Sequence, residues 1–243
     1  NIIQMGGLEN SVREDLGESA KRVMAVLDPV KVTLTNWPGD KVERLTAQNH
    51  PGNAEMGERE IPLSREIFIE RSDFMEDPPR KFFRLRPEGE VRLRYGYIIK
   101  CEEVIKDAEG NITELLCTYD PETRSGSENQ RKVKGTIHWV SAAESLPAEV
   151  RLYDRLFSVP RPDADRDGKD FREFLNSESL QVLNNCRVEP SLAEAGPAAV
   201  QFERTGYFVT DSEDSAPDRL VFNRVVTLRD SLAKLEKQQA DQG

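Results

Sequence analysis

The sequence predicts an all-β protein of two barrels behind one short helix. Three observations carry that expectation. Apolar and polar residues alternate with period two through many short runs. Clusters of Pro, Gly, Asn and Asp punctuate those runs at turn-sized intervals. Helices are few, so the strands must bury their apolar faces against one another in barrels or sandwiches. At 243 residues, two barrels fit the length better than one.

Residues 8–20, LENSVREDLGESA, place Leu8, Val12 and Leu16 four apart among charges, the spacing of an amphipathic helix. From Met24 to Trp37 two β-rich runs are broken by Asp28-Pro29, and in the second Val30, Val32 and Leu34 alternate with Lys31, Thr33 and Thr35. Turns follow at residues 37–40 (WPGD) and 50–53 (HPGN), then an apolar run at 60–70. In residues 90–119 Val91, Leu93, Tyr95, Tyr97 and Ile99 alternate with Arg92, Arg94, Gly96, Ile98 and Lys100. The turn at 107–111 (DAEGN) then leads into a second β-rich run, making this the clearest hairpin. A polar stretch at 122–131 precedes a strand at 132–141, and residues 142–148 read as a hinge. Further strands are expected at 149–158, 179–187, 198–210 and 219–229, with a helical piece at 169–175 and a frayed polar end.

Charge and motif content exclude several functions. Thirty-four basic residues against 44 acidic give a net charge of -10, which argues against indiscriminate nucleic-acid binding. Nothing approaches the ~20 apolar residues of a membrane-spanning helix. Three scattered cysteines (Cys101, Cys117, Cys186) and two histidines (His50, His138) offer no metal-ligand spacing, and with no secretory leader they read as reduced thiols of a cytoplasmic protein. G-x-x-x-x-G-K-[ST], G-x-G-x-x-G, G-x-S-x-G and H-E-x-x-H are all missing, so no catalytic residue and no metal site is expected. The opening Asn-Ile-Ile-Gln-Met suggests a piece of a longer chain.

One segment stands out against the acidic whole. Residues 80–94, RKFFRLRPEGEVRLR, carry six basic and two acidic residues, a local charge of +4, with Phe82 and Phe83 interleaved. Arginine forks suit phosphates and base edges, and aromatic rings suit unstacked bases. Arg131, Lys132 and Lys134 form a second basic strip. The plain alternative is a solvated barrel face with Phe82 and Phe83 in the core. On these residues alone, RNA recognition and an ordinary charged surface both remain open.

The blocks MAVLDPVKV, EMGEREIPLSREIFIERSDF, EVRLRYGYIIKCEEVIKDAEGNITELLCTYDPET, KVKGTIHWVSA, EVRLYDRLFSVP, QFERTGYF and VFNRVVTLRD run in order through the chain. Together they resemble the C-terminal anticodon-binding region of the glutaminyl-tRNA synthetases. The related glutamyl-tRNA synthetases of archaeal and eukaryotic cytosolic type share the module, but HWVSA and LYDRLFSVP look more like the glutaminyl enzymes. The resemblance implies a helical stalk remnant at 1–22, a proximal barrel at 23–142, a distal barrel at 143–218, and a return strand to the proximal barrel plus tail at 219–243. It also implies a catalytic domain ahead of residue 1 with HIGH- and KMSKS-type motifs. That domain would use ATP and Mg²⁺ to couple glutamine to tRNA, whereas this region would need no cofactor and be inactive alone. The expected partner is the anticodon loop of a glutamine tRNA, bound by a monomer.

Matching the motifs position by position gives the expected contacts. Arg22 and Gln201 read the middle base, a uridine; Arg84 reads the third, a guanine; Arg92 and Arg94 lie by the first, a cytidine or uridine; Arg229 touches the backbone. Lys81 stands where some relatives have a glutamine near the middle base, and Phe83 where some have a lysine. A lysine donates to a carbonyl or phosphate but cannot accept from a base N–H. The chemistry is coherent on its own terms. Guanine O6 and N7 suit an arginine fork, while uridine needs both donors and an acceptor, which arginine plus glutamine supply. The competing class is a non-catalytic, ribosomal-protein-like RNA-binding barrel, whose affinity follows salt and ignores the bases.

Overall fold

A computed structural model describes residues 5–128, 131–159, 161–163, 168–194 and 196–229; the expected frayed end falls outside these. Helix α1 (Met5–Ser19) leads into β1 (Lys21–Val23), β2 (Ala25–Val26), β3 (Pro29–Leu34), β4 (Glu43–Gln48), β5 (Glu58–Leu63), β6 (Glu66–Glu70), β7 (Glu90–Leu93), β8 (Ile98–Lys106) and β9 (Ile112–Asp120). There follow β10 (Thr136–Ile137), β11 (Trp139–Ser141), β12 (Leu146–Tyr153), β13 (Leu180–Val188), β14 (Val200–Phe202), β15 (Gly206–Thr210) and β16 (Leu220–Thr227). The architecture is all-β with two barrel-like sheets, as the alternation predicts. The helical piece expected at 169–175 is a single turn, Phe171–Phe174.

Both sheets close in the same way. The first runs β10-β7-β8-β9-β3-β6-β11, and its two ends are halves of one strand interrupted at His138. The second runs β1-β14-β15-β16-β12-β13-β2, and its ends are halves of one strand interrupted at Met24. One broken strand thus supplies both end strands of each sheet and brings each sheet nearly to closure as a barrel. The β4–β5 hairpin covers the first barrel and adds Leu45, Ala47, Ile61 and Leu63 to its core. In the second core Phe202 stacks on Phe208 at 4.2 Å and meets Phe222 edge-on.

Two expected boundaries are corrected. Residues 219–229 do not return to the proximal barrel: β16 pairs with β12 and β15, and Leu220 and Phe222 pack in the second core. Nor does the first barrel begin at residue 23, because β1 and β2 belong to the second sheet. Strand alternation explains the switch. Val23 and Ala25 face the second core while Met24, between them, faces the first. Helix α1 lies on the second barrel, where Val12 and Leu16 pack on Ala20, Tyr207 and Val226.

Continuous alternation over 91–99 also misleads. The chain turns at residues 94–96, with Leu93 N–H bonded to Tyr97 O and Tyr95 at φ 63°. The run expected as a strand at 198–210 is likewise the hairpin β14–β15, turning at Glu203–Thr205 with Arg204 at φ 67°. Period-two patterning persists through a tight turn, so it cannot locate one.

At the end of β6, Glu70 accepts the N–H groups of Leu27 (2.7 Å) and Asp28 (3.0 Å) and faces His138 Nε2 at 3.4 Å. Burial pushes its carboxyl up, but the His138 contact and the two amides outweigh this and hold it below the ordinary value of 4.5. A depressed folded value contributes stability that is fully present above about pH 4.5 and lost as pH falls through it. Glu70→Gln should therefore melt below wild type at pH 7, and the gap should close towards pH 3. Melting temperatures across pH 2.5–7 check this; a constant gap would remove Glu70 from the acid limb.

Candidate nucleic-acid interface

The two hairpin turns meet tip to tip between the barrels. Arg94 and Tyr95 come from the first barrel, Glu203 and Arg204 from the second. Glu203, its side chain only 4% exposed, ion-pairs with Arg94 and accepts from Tyr95 Oη at 2.6 Å. Arg204 donates both terminal nitrogens to Asp73, at 2.6 and 2.7 Å, and lies 3.0 Å from His138 Nδ1. Each barrel thus sends one buried carboxylate to an arginine on the other's side. Tyr95 and Arg204, both non-glycine residues at positive φ, occupy the conformation that costs about 1–3 kcal/mol and persists only where surroundings over-determine it. Here the carboxylates do so, and Trp139 Nε1 pins the first turn through Arg94 O at 2.9 Å.

A second buried carboxylate cluster lies alongside. Glu189 accepts from Arg59 Nε (2.6 Å), from Arg59 Nη2 (3.2 Å), from Met24 N–H (2.9 Å) and from Ser191 Oγ. Burial pulls the Arg59 guanidinium towards losing its proton, but Glu189 more than reverses that and the net shift is upward. The Tyr95 hydroxyl is raised by burial and by Glu203 beside it.

From this junction the basic segment runs outward. Leu85 is buried and bridges to Phe74, leaving Lys81, Phe83, Arg84 and Arg86 exposed around it. Gly135 permits the approach of this loop, since a Cβ there would lie 2.1 Å from Phe83 O. Phe83 is 51% exposed, with Lys134 Nζ 5.4 Å from its ring centroid; an exposed aromatic ring can stack a base while a neighbouring cation meets its phosphate. Phe82 is half-buried beneath the Arg84 guanidinium at 5.8 Å, so neither ring is ordinary core.

The expected contact residues are placed as follows. Arg84, 44% exposed, has Nε 3.2 Å from Asp73 Oδ1 and donates from Nη1 to Ser72 O at 2.9 Å. Arg94, 37% exposed, is held by Glu203. Arg22 and Gln201 are direct partners across β1 and β14, both half-buried. Arg22 donates to Gly17 O (2.8 Å) and Ala20 O (3.2 Å), capping the end of α1. Arg92 is spent on carbonyls, those of Thr123 (2.6 Å) and Arg131 (2.9 Å). Burial and neighbouring Arg131 lower its guanidinium pKa. Lys81 is exposed on the loop. Arg229 is exposed past the end of β16, its carbonyl bonded by Thr227 Oγ1.

Contacts therefore link Arg84 and Arg94 through Asp73, Arg204 and Glu203, and Gln201 with Arg22 adjoins them two residues along β14. Arg92, Lys81 and Arg229 stand outside that chain of contacts. Sequence reasoning missed Asp73, Tyr95, Glu203, Arg204, Arg59 and Glu189. The one available signal was local: Glu203 and Arg204 immediately follow Gln201-Phe202, and Tyr95 precedes a glycine.

Comparison with known proteins identifies the family. Two family models described as tRNA synthetases class I (E and Q), anti-codon binding domain, match residues 20–120 and 136–211. The chain is 54% identical over 231 residues to a glutamine–tRNA ligase of Pseudomonas syringae pv. tomato, covering 95% of this chain and 40% of that protein. It is 56% identical over 240 residues to the glutamine–tRNA ligase of Vibrio parahaemolyticus, covering 98% and 42%. To that of Rhodopirellula baltica it is 56% identical over 231 residues, covering 94% and 38%. The chain spans about two fifths of the length of these relatives. Two joined barrels, arginines braced at their junction and these matches place the chain in the anticodon-binding family of the class I tRNA synthetases for glutamate and glutamine.

Proposed function

We propose that this chain is the anticodon-recognition region of a glutamine–tRNA ligase. The observation that carries this is the junction, where partly exposed arginine forks are braced from behind by buried carboxylates beside an open aromatic ring. Arginines immobilised before binding lose little freedom on meeting a base. Arg84 faces the third base, Arg94 the first, and Arg22 with Gln201 the middle one, while Arg92, expected by the first base, is committed to the carbonyls of Thr123 and Arg131. Lys81 and Arg229 supply charge to the backbone. Among the described residues no group of three His, Cys, Asp or Glu could hold a metal ion, and none of the nucleotide-binding motifs sought is present. ATP and Mg²⁺ belong, on this reading, to the whole ligase, of whose length this chain spans about two fifths.

The test is binding of anticodon stem-loops at fixed salt. A loop reading cytidine or uridine, then uridine, then guanine should bind at least tenfold more tightly than one with its middle base changed to cytidine. Arg229→Ala should weaken all loops alike and flatten the salt dependence, by a slope change of about 0.7 for one lost single-strand phosphate contact. Equal affinity for every loop, with only salt mattering, would overturn the proposal in favour of a non-specific RNA barrel.

A further inference from the structure

We infer that Asp73 is a positioning residue for third-base recognition, aiming Arg84 and tying it to the second barrel without touching RNA. The inference rests on the anticodon-reading function proposed above. Asp73 sits in the helical turn Arg71–Asp73 after β6, its side chain 2% exposed. One carboxylate serves two barrels. Both oxygens accept from Arg204, and Oδ1 also faces Arg84 Nε. The same turn grips Arg84 through its backbone as well: Ser72 O accepts from Arg84 Nη1, and Asp73 O accepts the N–H of Leu85, the next residue.

The donor arithmetic gives this meaning. Of the five N–H donors of Arg84, Nε faces Asp73 and one Nη1 proton goes to Ser72 O, leaving three that these contacts do not use. A planar fork held from behind presents one orientation to a guanine edge, whereas an unbraced arginine must select it on binding. Arg204 carries the brace across the junction, because Glu203 beside it holds Arg94. Arg204, which holds the Asp73 brace of the third-base arginine, and Glu203, which braces the first-base arginine, are thus consecutive residues of one turn.

The experiment measures affinity for two stem-loops that differ only in a third-base guanine or adenine, at one salt concentration. It compares wild type, Asp73→Asn, Arg84→Ala and the double variant. Asparagine keeps the shape but not the charge. Asp73→Asn should lower the guanine-to-adenine affinity ratio at least fivefold and leave adenine-loop affinity within twofold. In the Arg84→Ala background it should change the ratio less than twofold. A purely structural role would lower the melting temperature and weaken both loops equally, and that outcome overturns the inference, as does an unchanged ratio. If Asp73→Asn fails to fold, Arg204→Lys loosens the same brace from the other barrel, and an unchanged ratio there overturns the inference too. A wild type with no third-base preference would remove the proposed function itself. A wild-type preference that survives Asp73→Asn intact removes only the role of Asp73.

Discussion

Glu189→Ala is expected to destabilise the protein by about 3–5 kcal/mol, the cost of breaking a buried ion pair by removing one partner. Glu189 is 2% exposed and Arg59 7%, so water cannot replace the lost carboxylate. Three consequences add up. The Arg59 guanidinium stays buried with only Glu203, 3.9 Å away, as a charged partner. The Met24 N–H, at the break in the strand that closes the second barrel, loses its acceptor. The contact between the β4–β5 hairpin side and the second barrel loses its strongest polar tie. Glu189→Gln should cost less, since it keeps an acceptor for Met24 but not the charge. Replacing Arg59 by methionine in the Glu189→Ala background should restore part of the loss, because an apolar pair leaves no unpaired charge. Urea unfolding of the four proteins decides it. A loss below about 1 kcal/mol for Glu189→Ala would show that the junction is held by its apolar contacts instead.

Much of the fold was legible because barrels advertise themselves through alternation. Val30, Val32 and Leu34 face the first core as their spacing predicts, and Leu220 and Phe222 are buried as a strand requires. What alternation cannot show is which barrel a strand joins. Residues 220–227 read equally well as a strand of either, and pairing with β12 and β15 is set by contacts far away in sequence. The strand breaks at Met24 and His138 are invisible for a related reason: one residue faces the neighbouring barrel, a direction that a single-core pattern does not contain. The site divides in the same way. The basic cluster and Phe83 were visible as composition. Asp73, Glu189 and Glu203 were three among 44 carboxylates, distinguished only by burial that tertiary structure supplies.

Arg84→Ala is expected to cost about 1–3 kcal/mol on a loop whose third base is guanine, roughly 5- to 150-fold in affinity, and far less on one whose third base is adenine. Guanine presents O6 and N7 as a pair of acceptors, and the uncommitted Nη protons of Arg84 match that pair. Adenine offers N7 but has an amino donor in place of O6, so the wild-type arginine gains little there and its loss removes little. The competing account makes Arg84 a surface charge neutralised by an adjacent glutamate. Glu88 and Glu90 are otherwise engaged, Glu88 with Lys100 at 2.7 Å and Glu90 with Arg131 at 2.6 Å. The carboxylate that Arg84 does meet, Asp73, is already neutralised by Arg204. Arg84→Ala therefore leaves no buried charge unpaired, and the fold should hold while discrimination falls. Arg84→Lys separates charge from geometry: an ammonium restores attraction to phosphate but cannot meet O6 and N7 together in a plane. Relative to alanine it should raise affinity for every loop by a similar small factor and restore discrimination on none. Four stem-loops differing only at the third base, titrated with wild type and both variants at one salt concentration, measure this. Uniform losses across all four for Arg84→Ala would take Arg84 out of base recognition, because a contact that ignores the base carries no sequence information.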